Sequence, residues 1–108
     1  MSFQELLQFI KSESERLVKK HGQGSSSREI VLPRTVKLNE EVGELCAEIL
    51  ALDNDQRKEK LSKMKVKNNL PNELADVIIT TLLLAEVSAV DIKTALENKI
   101  KKIKKRYE

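Results

Sequence analysis

From Leu74 to Val87 nearly every residue is apolar: Leu74, Ala75, Val77, Ile78, Ile79, Leu82, Leu83, Leu84, Ala85 and Val87. As a helix starting near Pro71, this stretch is hydrophobic all round and has to be covered all round. A chain of 108 residues forms one domain with a single core and has few elements to supply that cover. A second subunit is therefore expected to complete it. The longest uncharged run, Val77 to Ala85, is far shorter than the ~20 residues a membrane span needs. No segment reads as a signal peptide, so a cytoplasmic protein is expected.

The same helix opens on Glu73-Leu74-Ala75-Asp76. Glu73, Asp76 and Thr80 share one side of it, and both acids sit at the N-terminal end, where the helix dipole favours negative charge. A second acidic cluster, Glu40-Glu41-Val42-Gly43-Glu44, has Glu48 one turn further on. It lies on a helix expected from about Pro33 to Leu52. There Leu38, Val42, Leu45, Ile49 and Leu52 make one narrow apolar stripe. At about 100° per residue, Glu41, Glu44 and Glu48 line one flank of that stripe. These acids repel one another on an isolated helix. Packed side by side, the two helices bring carboxylates together beside an apolar core. That is costly unless something positive binds there.

The rest of the chain also reads as helix, and only three Gly and two Pro interrupt it. Phe3, Leu6, Leu7, Ile10 and Leu17 recur at helical spacing over residues 2–20, with Ser2 as the predicted N-cap. A flexible connector follows over residues 21–29, built on His21-Gly22-Gln23-Gly24-Ser25-Ser26-Ser27. His21, the lone histidine, is read as a partner of the helix dipole and not as a catalytic group. The polar, lysine-rich segment from Asp53 to Asn69 accommodates a short helix from about Gln56 to Val66. Asp91 is the predicted N-cap of the last helix. Ile92, Leu96, Ile100, Ile103 and Tyr107 form its apolar face, and Lys99, Lys102 and Arg106 form a basic stripe beside it. The expected fold is all-α: one domain over residues 1–108, a four-to-five-helix bundle whose core is completed by dimerisation.

Carboxylates without histidine or cysteine beside them suit a hard cation. Mg²⁺ takes oxygen ligands and bridges carboxylates to substrate phosphates; Mn²⁺ is a possible substitute. Zinc would want nitrogen or sulfur, which this chain scarcely offers. The single Cys46 excludes a disulfide framework and reads as a small core residue. The basic stripe would neutralise the phosphate oxygens left over. A metal and cations around a phosphate chain equip a site for phosphoryl transfer or hydrolysis. No glycine loop cradles a phosphate. No serine or cysteine has a histidine partner, which argues against covalent catalysis.

With those residues in place, the chain resembles the MazG-like nucleoside triphosphate pyrophosphohydrolases of the all-α NTP pyrophosphatase superfamily. Lys37-Leu38-Asn39-Glu40-Glu41-Val42-Gly43-Glu44-Leu45 looks like that family's Glu-Glu-x-x-Glu motif, and Glu73-Leu74-Ala75-Asp76-Val77 like its Glu-x-x-Asp. The turn at Val90-Asp91-Ile92 and the basic ending follow the same layout, so the resemblance spans roughly residues 30–107. It implies Mg²⁺-dependent cleavage of the α–β phosphoanhydride of a nucleoside triphosphate. It implies metal binding by Glu41, Glu44, Glu73 and Asp76, with Glu40 contributing directly or through water. Glu40 and Glu41 are then the catalytic acids. Lys99, Lys102 and Arg106 match phosphate-facing positions, and Tyr107 is a candidate base or sugar contact. A homodimer or homotetramer is implied as well. One departure stands out: many members carry an asparagine where this chain has Ile103, and that residue tends to serve the nucleotide. Phosphoribosyl-ATP pyrophosphohydrolase shares acidic helices but fits the Gly43 and Asp91 settings less well.

The alternative from another class is a non-catalytic helical module whose C-terminal basic helix binds nucleic acid. It would show affinity that falls steeply with salt and no need for Glu41 or Asp76. The shortage of aromatic residues, Phe3, Phe9 and Tyr107, argues against single-strand stacking and makes nucleic acid the less favoured partner.

Overall fold

The computed structural model describes residues 1–21, 27–52 and 66–108. The described residues form four helices and no strand: α1 (Phe3–His21), α2 (Ser27–Leu52), α3 (Val66–Val87) and α4 (Ile92–Lys105). The all-α expectation holds.

The helix ends follow the local chemistry read from the sequence. Ser2 and Glu5 form a reciprocal capping box: the Glu5 amide donates to Ser2 Oγ at 3.1 Å, and the Ser2 amide donates to Glu5 Oε1 at 3.3 Å. Helix α3 ends where Ala89 turns left-handed at φ 56. There the Val90 amide reaches back to the Ala85 carbonyl at 3.0 Å, closing the last turn in the Schellman manner. Asp91 caps α4, accepting from the Thr94 amide at 3.2 Å and from its hydroxyl at 2.8 Å. Both hydrogen bonds hold the Asp91 carboxyl below the ordinary aspartate range. A carboxylate with a depressed folded-state pKa adds stability above its unfolded value and loses it as pH falls through the folded one. On acidification, α4 therefore loses its cap. Asp91→Asn, which caps without titrating, is expected to remove that acid-dependent loss of helical signal in circular dichroism.

Two helix starts differ from the sequence expectation. α2 begins at Ser27 and α3 at Val66, so Pro33 and Pro71 lie inside helices instead of opening them. Each proline forgoes the bond to the carbonyl four residues back. That loss falls near the start of a long helix whose remaining turns are held by packing. Ser27, Arg28 and Glu29, expected in the connector, are helical. The connector's residues 22–26 lie outside the described residues, as does the short helix expected from Gln56, except that Val66 opens α3.

α2 packs along α3, and α1 lies against α3. Ile10 of α1, 1% exposed, joins Leu82 and Leu83 of α3 in the core, and Leu6, Leu7, Leu17, Ile79 and Ile92 pack onto it. Other apolar residues stay open to solvent. Val42 and Ile49 of α2, Leu74 and Ile78 of α3, and Leu96, Ile100 and Ile103 of α4 are all exposed. No residue of α4 is buried. The radius of gyration is 17.1 Å, against about 13 Å for a compact chain of this length. Cys46, read as a core residue, is exposed, and so are Phe3 and Phe9. No helix among the described residues is long and apolar enough to cross a membrane.

Candidate metal centre

The α2–α3 pairing brings three of the singled-out acids together. Glu41 from α2 and Glu73 and Asp76 from α3 each offer a carboxylate oxygen, and these oxygens lie within 4.8 Å of one another. The spacing explains the convergence. Glu73 and Asp76 are three apart and share a face, and that face looks onto the flank of α2 carrying Glu41. Thr80, one turn beyond Asp76, is buried on the same side.

Burial grades across the cluster: Glu41 is buried, Glu73 half-buried and Asp76 exposed. Oε2 of Glu41 and Oε2 of Glu73 are buried without a hydrogen-bond partner. An unpaired buried carboxylate oxygen is unfavourable, and two of them at one place invite a cation. Burial pushes the Glu73 carboxyl above the ordinary glutamate range, and the charges of Glu44, Asp76, Glu41 and Glu48 push it further. An all-oxygen donor set with unsatisfied lone pairs fits a hard divalent cation.

The remaining acids surround this triad. Glu44 is exposed and acts on Glu73 electrostatically, but its oxygens are not among the gathered three. Glu40 is exposed and lies 3.9 Å from the Lys37 ammonium. Lys37 also reaches Glu41 Oε1 at 3.1 Å, a hydrogen bond that raises the Lys37 pKa. Lys37 was not singled out from the sequence. Its signal was the spacing: Glu40 and Glu41 stand three and four residues after it, within reach on a helix.

Lys99, Lys102 and Arg106 do not join the triad within one chain. They are exposed along the C-terminal half of α4 and at its C-cap, and among the described residues no ion pair ties them to an acid. Tyr107 is exposed as well, 85% of it open to solvent.

Compared with known proteins, the family model described as the MazG nucleotide pyrophosphohydrolase domain matches residues 33–108, which contain the whole acid triad and the basic stripe. No curated protein matches the chain, and neither does any solved structure.

Proposed function

The chain belongs to the MazG nucleotide pyrophosphohydrolase family, and from that premise we propose that it is a Mg²⁺-dependent nucleoside triphosphate pyrophosphohydrolase. It cleaves the α–β phosphoanhydride to give a monophosphate and pyrophosphate. The observation that carries this reading is the pair of unpartnered buried oxygens in a three-carboxylate cluster. Glu41, Glu73 and Asp76 would hold the cation, Glu44 would add its negative charge nearby, and Mn²⁺ would substitute for Mg²⁺. When bound, such a cation neutralises phosphate charge and makes a coordinated water more acidic. Glu41 positions that cation, and exposed Glu40 accepts the proton of the attacking water, directly or through a second water. Lys99, Lys102 and Arg106 neutralise the remaining phosphate oxygens, and Tyr107 approaches the base or sugar.

That last assignment fits a homodimer or homotetramer. Within one chain the basic stripe stays apart from the acids, and the open apolar residues of α2, α3 and α4 are the surface a second copy would cover. The cellular role is clearance of non-standard or surplus nucleotides, and the location is cytoplasmic.

The test is one panel of standard and modified nucleoside triphosphates with Mg²⁺, repeated with the metal chelated. Pyrophosphate and monophosphate should appear in equal amounts for at least one substrate, and chelation should stop their release. Release of single phosphate would contradict the proposed bond. No metal-dependent turnover of any member, with salt-sensitive binding of nucleic acid, would favour the interaction module built on the unburied basic helix α4.

A further inference from the structure

Beside the acid triad, between α1, α2 and α3, lies a cavity of about 370 Å³. That is the small end of the range for small-molecule sites. Its walls are aliphatic: Leu17 of α1, Ile30 and Pro33 of α2, Leu83 of α3. Three charged side chains, Glu29, Arg34 and Lys37, interrupt this apolar lining. Arg34 lines the cavity, and its Nη1 is buried with no hydrogen-bond partner. Burial lowers the Arg34 pKa, and the charge of Glu13 opposes that. A guanidinium N–H removed from water and left unpaired is costly, so Arg34 Nη1 is short of one hydrogen-bond acceptor.

Two lining residues link the cavity to the triad. Lys37 lines the cavity and holds Glu41 at 3.1 Å. Thr80 lines it too, one turn beyond Asp76 on α3. A molecule with phosphates at the carboxylates and an attached flat ring would place the ring here. Aliphatic walls take a heteroaromatic ring by apolar contact alone, without stacking. The missing acceptor then belongs to the ring. A carbonyl oxygen supplies it, as at position 6 of guanine or hypoxanthine and position 4 of uracil or thymine. Adenine and cytosine put an amino group there, which is a donor and opposes Arg34.

We propose that this cavity receives the nucleobase of the substrate and that Arg34 selects keto bases over amino bases. The proposal rests on the pyrophosphohydrolase reading for the placement of the phosphates. Its test is binding of non-hydrolysable α,β-imido deoxynucleoside triphosphates, measured by titration calorimetry with Mg²⁺. Guanine is compared with adenine, and uracil with cytosine. The keto member of each pair should bind about 10-fold or more tightly, and Arg34→Met should bring both ratios close to one. On the wild-type chain, the methyl resonances of Leu17, Ile30 and Leu83 should shift with the keto ligand. That result stands even if the variant fails to fold. Equal affinities, no binding of any of the four, a preference that survives Arg34→Met, or silent methyls would each overturn the assignment. Turnover measured in parallel separates the two readings. Metal-dependent pyrophosphate release with equal affinities removes only the base selection. Keto-selective binding without turnover removes only the hydrolase.

Discussion

Replacing Glu41 with glutamine should abolish pyrophosphate release while leaving the helices intact. Glu41 is the most buried of the triad, 7% exposed. One of its oxygens is held by Lys37 and the other has no partner. The amide keeps the shape but removes the charge and turns one oxygen into a donor, which a divalent cation repels. Even residues behind a metal ligand commonly cost 10–100-fold when changed, so losing a ligand should cost on the order of 100-fold or more. The fold should tolerate the change. Lys37 is well exposed, so breaking its pair removes little stability, and the glutamine relieves repulsion with Glu73 and Asp76. Asp76→Asn should behave alike. Turnover at the wild-type rate in either variant, read as released pyrophosphate, would take that residue out of the site.

Truncating Ile10 to alanine should destabilise the chain by about 2–5 kcal/mol, the usual range for removing a large aliphatic side chain from a core. Ile10 is the most deeply buried residue of this small core, and its partners Leu82 and Leu83 lie on the helix that carries Glu73 and Asp76. With total stabilities of about 5–15 kcal/mol for a domain, a loss of that size is a large share. Urea denaturation should show an earlier midpoint with an unchanged slope. A loss below about 1 kcal/mol, the level of many surface changes, would mean that α1 is not docked on α3 as described.

What the sequence made legible was local. Ser2 and Asp91 cap because their side chains reach amides three residues on. The meeting of Glu41 with Glu73 and Asp76 could be anticipated because each acid flanks an apolar seam. The helix starts were misjudged because a proline in a first turn and a proline one turn further in look alike in sequence. Only the packing of the long α2 and α3 decides between them. Cys46, Phe3 and Phe9 are apolar by type, yet exposed. Type alone does not say which face of a helix a single chain covers. Arg34 was out of reach for a different reason: its cavity exists only once residues of α1, α2 and α3 stand together. The basic stripe was visible as a pattern, but among the described residues no ion pair joins it to the acids.

The most direct measurement is Mn²⁺ binding followed by electron paramagnetic resonance, on the wild-type chain and on Glu41→Gln, Glu73→Gln and Asp76→Asn. The free-ion signal should fall saturably with the wild-type chain and remain nearly undiminished with each variant, their circular dichroism being unchanged. Wild-type binding retained in all three would contradict a metal centre built from these carboxylates.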